Sequence, residues 1–244
     1  MKFFAIILVL TIPAGMYGQN SSSTSSPYSR YGFGTMSGTS FGRGDAMGGI
    51  GIGTRNSYQI NTANPASYTS IDSLTFLMQF GIDAKFIWSE TTESSNVRNN
   101  VNFNHLTFAV PITRWWAGSF GLLPYASKGY NIISSSGVLD LMSTSSYSGT
   151  GTLTKLYFGN AFRIGKNLSL GVNTWFMFGK MIDDIYVYFP NDPAAYDYLK
   201  QSSLNVHGFG VSTGLQYQVT TKKNNSLTLG LTFDPNININ STYT

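Results

Sequence analysis

The stretch Leu74–Trp88, LTFLMQFGIDAKFIW, carries apolar side chains at every second position. This period of two over about fifteen residues predicts one β-strand, about twice the usual length in a soluble sheet. A tilted strand needs about 9–11 residues to cross a bilayer, so the length favours a membrane-spanning strand. The apolar positions are Leu74, Phe76, Met78, Phe80, Ile82, Ala84, Phe86 and Trp88, with Leu77 and Ile87 as exceptions on the other face.

The same alternation recurs along the chain and predicts seven strands in all. Gly, Ser, Thr and Asn are frequent on the alternate face, and aromatic residues gather near the strand ends. Both features are typical of a transmembrane antiparallel β-barrel, whose apolar face contacts lipid. A secreted β-sandwich would show a similar alternation with the apolar face turned inward, and it is the alternative. The predicted strands lie at residues 74–88, 105–112, 116–123 (ending before Pro124), 155–164, 168–179, 208–217 and 226–233.

The links between these strands alternate between long and short. Long polar stretches at residues 89–100, 126–151 and 183–203 alternate with short links at 113–114, 165–167 and 221–225. Barrels of outer membranes have long extracellular loops and short periplasmic turns, so the order favours a barrel. Within the third long link, Asn191–Leu199 is predicted to form a short helix or turn with an apolar surface for ligand capture.

The number of predicted strands is odd, whereas bacterial single-chain barrels have even numbers. We therefore expect residues 73–244 to be the first seven strands of a longer barrel.

The first residues are typical of a secretory signal peptide. Met1 and Lys2 precede an apolar stretch of about eleven residues, which is followed by small residues up to Gly18. Residues 1–18 are predicted to be removed, with an N-terminal membrane anchor as the alternative. The chain is thus expected to be exported, and a barrel places it in the bacterial outer membrane.

The composition argues against several functional classes. The formal net charge is +4, charged residues make up 11% of the chain, and there is no cysteine. Cysteine-based catalysis, disulfides and thiolate metal sites are excluded, and no Lys/Arg block indicates a nucleic-acid partner. His105 and His207 have no triad spacing with Asp183 or Asp184, so we expect no enzyme activity, no cofactor and no metal site.

Residues 19–72 do not alternate and are rich in Gly, Ser and Asn. Such a segment before a barrel is predicted to be a hatch that folds into the lumen. Glycine permits unusual backbone geometry and Asn-Pro favours a turn, so the residues expected to shape this hatch are Gly48, Gly49, Asn64, Pro65 and Ala66.

Five polar residues are expected to line the lumen: Asp83, Lys85, His105, Lys155 and Arg163. They would be solvated or paired with the hatch, or the charged ones among them would contact a ligand carboxylate.

The run Arg43–Gly49, RGDAMGG, followed by Asn64-Pro65-Ala66 and then a strand, resembles the FadL/TodX family of outer-membrane transport proteins. With Ser26–Gly32, SPYSRYG, in front, it is similar to the Bacteroidetes variants of that family. The resemblance implies a 14-stranded barrel with an internal hatch, of which this chain would hold half.

The resemblance also implies passive uptake of hydrophobic compounds such as long-chain fatty acids. The expected partners are outer-membrane lipid and a hydrophobic small molecule. The alternative is a barrel that transports nothing and binds other envelope proteins in secretion or outer-membrane assembly, since the family includes such members.

Overall fold

The computed structural model describes residues 24, 26–90, 95–138, 141–192, 194–220 and 225–244. The predicted signal peptide, residues 1–18, lies outside these residues. The described chain begins with a 3-10 helix at Pro27–Arg30, strand β1 at Thr35–Met36, helix α1 at Arg43–Ala46 and a second 3-10 helix at Pro65–Ser70. The strands that follow are β2 (Leu77–Glu90), β3 (Ser95–Pro111), β4 (Trp116–Val138), β5 (Leu141–Ile164), β6 (Leu168–Tyr188), β7 (Tyr198–Thr220), β8 (Ser226–Phe233) and β9 (Ile239–Tyr243).

Strands β2 to β8 form one curled antiparallel sheet in chain order, which is half of a barrel wall. The short strands β1 and β9 pair with β4 and β7 respectively. The prediction of an all-β barrel fold with seven long strands is confirmed, and the single curled sheet replaces the sandwich alternative. None of the helices in the described part of the chain is long and apolar enough to cross a membrane.

One face of this sheet is apolar and exposed. Directly opposed residues of neighbouring strands point to the same face, so a row can be followed from strand to strand. Phe108 of β3, Phe120 of β4 and Phe158 of β5 lie in one such row, with ring centroids 4.9 and 6.4 Å apart. The neighbouring row holds Phe80, Leu106, Leu122, Leu156, Phe176 and Phe209.

The apolar band on the outer face crosses the sheet diagonally. At β2 it extends from Phe76, just before the strand, to Trp88, whereas on β8 it extends from Leu227 to Phe233. From β2 to β8 the centre of the band moves by about nine residues along the strand direction, relative to the residues that pair directly across the sheet. This is a displacement of about 30 Å along the strands over a distance of about 29 Å across six strand spacings. The strands therefore tilt by about 45° to the band, as strands of a transmembrane barrel do.

Strands β4 to β7 extend well beyond the band. On β5 the outward face turns from Phe158 to the exposed Thr152 and Thr150, and on the neighbouring strands it carries Lys180 and Asn205. The polar stretches predicted as long loops are thus largely strand. This prediction was wrong because side chains that are polar on both faces still allow the backbone to pair with a neighbouring strand.

Two strand boundaries differ from the prediction for backbone reasons. Leu74 has a φ of 65° in a turn, so β2 begins at Leu77. Pro124 does not end β4, because the pairing with β3 stops at Leu122 and the absent N–H of Pro124 faces an edge without a neighbour at that position. A bulge at Tyr125 follows immediately. Between Asn191 and Tyr198 the described residues form a turn and no helix, and β7 begins at Tyr198.

Candidate functional site

The N-terminal segment, residues 27–72, packs against the inner face of the sheet. Its most buried part is the second 3-10 helix, which Asn64 caps. Asn64 Nδ2 donates to the carbonyl oxygens of Ile52 (2.8 Å) and Leu215 (3.2 Å), while its Oδ1 accepts from Ala66 N (3.1 Å). Asn64, Pro65 and Ala66 are buried, so this element joins the segment to β7 without leaving polar atoms unpaired.

Glycines of the strands provide the space that the 3-10 helix occupies. A Cβ on Gly214 of β7 would lie 2.1 Å from Asn64 Oδ1, and one on Gly171 of β6 would lie 2.3 Å from the carbonyl carbon of Pro65. Cβ atoms do not tolerate such distances, so only glycine allows this close approach.

Tyr68 fills the centre of the inner face. Its ring is fully buried next to Tyr157, and its hydroxyl donates to Asn173 Oδ1 at 3.0 Å. Burial raises the pKa of Tyr68 well above its usual value, so the hydroxyl remains a donor. The apolar cluster around it comprises Ile60, Ile71, Ala109, Ala117, Tyr157 and Ala161.

Arg55 connects the segment with two strands. Its guanidinium donates to Thr69 Oγ1 (2.8 Å), Ser169 Oγ (3.2 Å) and Gln216 Oε1 (3.0 Å). Burial, with a smaller repulsion from Arg163, lowers the pKa of Arg55 to about 10, so it remains a cation at neutral pH. Arg163 donates to the carbonyl oxygen of Thr69, so two arginines bind the end of the same helix.

Gly48 and Gly49 have a different role from Asn64, Pro65 and Ala66. They form the turn after α1 with φ of 78° and 86°, and a Cβ on either would meet nothing within 4 Å. Glycine is favoured there by backbone conformation alone. The five residues predicted to shape the hatch therefore lie in an exposed turn and in a buried cap, two separate places.

The residues predicted to line the lumen also separate into groups. His105 stacks on Phe41 with centroids 4.5 Å apart and contacts Asn104 Oδ1 through Nδ1 at 2.9 Å. Lys155 lies between two aromatic rings, and Arg163 lies at the end of the 3-10 helix. Asp83 and Lys85 form a loose surface pair at 4.0 Å.

A gap in the sheet between β3 and β4 was not predicted. These strands pair only from Leu106 to Pro111, and β3 then follows β2 away from β4. In the pairing of β2 with β3 a bulge follows Gly81, and it places an extra residue on β3. The bulge at Tyr125 of β4 lies at the same level of the sheet, so β3 and β4 both bend where they separate. Strand β1 occupies the start of the gap, pairing Thr35 with Ser127.

The gap opens into a cleft of about 390 Å³ on the inner side. Burial and repulsion from Asp83 raise the pKa of Asp45 in this cleft above its ordinary value. The polar residues that line the cleft include Asp45, Asp83, Lys85, Asn104 and Ser127.

A larger cavity of about 690 Å³ lies between the segment, the inner face and the β8–β9 link. Lys155 Nζ in its wall is 4.5 Å from the ring centroid of Tyr125 and 4.7 Å from that of Trp175, which are cation–π distances. Met36 and Phe41 line both the cavity and the cleft, so the stretch between them is the partition that separates the two.

Among the described residues, no group of three or more His, Cys, Asp or Glu side chains could hold a metal ion. Asp183, considered above for its carboxylate, binds Lys128 Nζ at 2.9 Å and accepts from the hydroxyl of Tyr130 at 2.8 Å. Lys128 is almost fully buried, so this pair holds two long strands together beyond the apolar band.

The model of a protein family described as BamG matches residues 1–244. No curated protein and no solved structure matches the chain. The resemblance to the FadL/TodX family is therefore wrong, because the match is to a different family. Glycine is favoured in any turn with positive φ, as at Gly48 and Gly49, and Asn-Pro is common where a turn begins, so the motifs at Arg43–Gly49 and Asn64–Ala66 do not distinguish families.

Proposed function

This chain belongs to the BamG family, and we propose that it is a non-catalytic protein of the bacterial outer membrane that binds other envelope proteins in outer-membrane assembly. The family match over residues 1–244 carries the proposal, because the name BamG suggests an assembly role. In this function, outer-membrane lipid contacts the diagonal apolar band, and other envelope proteins bind the parts of the chain beyond it.

The way the N-terminal segment is held supports an assembly role over a fatty-acid channel. Passage through the inner face would require the segment to move away from the strands. That movement would break the buried hydrogen bonds of Asn64, Tyr68 and Gln216. Each buried polar group left without a partner costs about 1–3 kcal/mol, so the arrangement favours a static filling of the wall.

The long strands supply a second argument. Strands β4 to β7 have 21 to 24 residues, whereas about 9–11 are needed to cross the bilayer. They therefore extend about 30 Å or more beyond the apolar band, measured along the strands. The ion pair between the buried Lys128 and the half-buried Asp183 stabilises this extension. A rigid projecting sheet is suited to binding other proteins.

The proposal is tested by purifying the full protein with an affinity tag from outer membranes in mild detergent. We expect other envelope proteins to co-purify in constant ratio, and depletion of the protein to lower the amounts of other outer-membrane barrels. An unrelated tagged barrel of similar abundance is the control. Purification of the protein alone, with normal amounts of other barrels and reduced fatty-acid uptake on depletion, would overturn the proposal in favour of the channel.

A further inference from the structure

The edge of β4 that faces the gap is open over residues 131–136, named here the open edge. Gly129 N donates to Ser29 Oγ at 3.0 Å on this side of β4. In an antiparallel strand alternate residues direct their N–H and C=O to the same side, so Asn131, Ile133 and Ser135 face the gap as well. In the described part of the chain, no strand pairs with these three residues on that side.

This edge differs from the two ends of the sheet. β2 and β8 are the outermost strands of the main path, where further strands of a barrel wall would pair. The open edge instead lies within the order of strands, between β3 and β4. A strand added at either end of the sheet would leave it open.

The sequence of the open edge lacks the features that normally prevent edge pairing. Residues 131–136, NIISSS, contain no charged residue and no proline. Soluble and membrane proteins generally protect edges with lysine, proline or a covering element, because an unprotected edge pairs with other chains. Ile133 on this stretch is exposed by 66%.

The chain itself shows which kind of segment fits here. Met36 and Thr35 pair with Ala126 and Ser127 as a short antiparallel strand on the same edge, and Ser37 N donates to Tyr125 O at 2.8 Å. The same edge of β4 therefore already pairs with an extended segment, β1, at Ala126 and Ser127. The first 3-10 helix also packs against β4, where Ser29 Oγ accepts from Gly129 N and Arg30 lies over the ring of Tyr147 on β5. The edge is therefore open only beyond Gly129.

We propose that the open edge binds an extended segment of another envelope protein by β-strand addition. The inference rests on the proposed function, since it names the surface by which the protein would bind a partner. Backbone hydrogen bonds from Asn131, Ile133 and Ser135 provide the pairing, and the uncharged side chains accept a neutral or weakly polar strand.

The test uses the full protein in cells, with a photo-crosslinking amino acid at Ser135. Asn131→Pro with Ile133→Pro removes two N–H donors from the open edge. It leaves the pairing with β5 intact, because those residues face away from β5. The matched control is Asn131→Thr with Ile133→Thr, which keeps both N–H groups and favours a strand. Heat-dependent mobility on gels checks that both variants fold.

We expect a crosslink that peptide mapping places in an extended segment of a different envelope protein. Its yield should fall at least tenfold in the proline variant and stay within twofold in the threonine variant. No crosslink, equal yields in the two variants, or a crosslink to residues of this chain or of a second copy would each overturn the inference. The two proposals can fail separately. If the crosslink yield is unchanged in a folded proline variant and other envelope proteins still co-purify with it, the inference about the open edge fails and the proposed function stands.

Discussion

The ring of Tyr68 lies over Gly159 so closely that a Cβ on this glycine would be 2.5 Å from Tyr68 Cε2. The same tyrosine donates its hydroxyl hydrogen to Asn173 at 3.0 Å. One side chain of the N-terminal segment thus combines steric fit on β5 with a buried hydrogen bond on β6. The position of the segment on the sheet is set by this pair.

Gly159→Ala should destabilise the folded protein by about 1–3 kcal/mol, because the added methyl group displaces both Asn173 Oδ1 and the buried ring of Tyr68, which are bonded to each other. Denaturant unfolding in lipid vesicles measures the change. Gly118→Ala is the control, since its Cβ would meet Ile112 only at an ordinary 3.4 Å. Equal stability of the two variants would mean that Tyr68 is not packed as described.

Asn64→Ala should expose the N-terminal segment to protease. The substitution removes the hydrogen bonds to Ile52 and Leu215 and leaves the buried N–H of Ala66 without its acceptor, at about 1–3 kcal/mol. Limited proteolysis of the folded protein measures the rate of cleavage within residues 27–72. Asn56→Ala is the control, because this half-buried asparagine uses its side chain to accept from Tyr58 N in its own turn and keeps its backbone bond to Ser70 after the change. This variant should be cleaved at the wild-type rate.

Arg55→Lys should weaken the same attachment, because one ammonium cannot reproduce the forked contacts to Thr69, Ser169 and Gln216. Arg43→Lys in the exposed first turn of α1 is the control. Proteolysis rates should rise severalfold for the first variant only.

The contribution of Arg55 to stability should not change between pH 6 and 9. Its pKa of about 10 in the folded state lies below its ordinary value of 12.5, so both states carry the proton throughout this range. Only above pH 10 would the folded state release the proton before the unfolded chain, and stability would then rise with pH. Unfolding of the wild type and of Arg55→Gln, which has no titratable group, across pH 6 to 9 should give a constant difference, and a difference that changes with pH would contradict the assignment.

Phe158→Arg should destabilise the protein in a bilayer by about 2–4 kcal/mol, the cost of a charge on the lipid face near the bilayer midplane. Thr150→Arg is the matched control, on the same face of the same strand but beyond the apolar band. Folding titrations in vesicles of defined thickness compare the two. Similar losses would show that the band does not mark the membrane.

Local patterns predicted the strands, but less of how they assemble. The alternation at Leu74–Trp88 and in the later stretches indicated where the strands lie and which face of each is apolar, because both depend on side chains within one strand. The extension of β4 past Pro124 depends instead on where β3 stops pairing, which no local pattern records. The gap at Tyr125 was missed for the same reason.

The candidate site was predicted in its residue types and not in its arrangement. Asn64 and Pro65 were expected in the hatch, and the structure places them in a buried cap on β6 and β7. The glycines that accommodate them, Gly171 and Gly214, lie on the alternate face, which was predicted only to be rich in Gly, Ser, Thr and Asn. The reason that glycine is needed at these two positions is a contact with residues more than one hundred positions away, which a single sequence does not reveal.

The short pairing between β3 and β4 divides the sheet into two panels, the first hairpin β2–β3 and the larger sheet β4–β8. The line along which β3 and β4 pair is called the crease here. Six residue pairs, from Leu106–Leu122 to Pro111–Ala117, connect the first hairpin to β4, whereas β5 and β6 are matched along 21 pairs. When a bilayer thickens, thins or curves, the strain will concentrate at this crease, because it is the seam with the fewest backbone bonds to deform. The first hairpin can then swing as a unit while the larger panel keeps its shape.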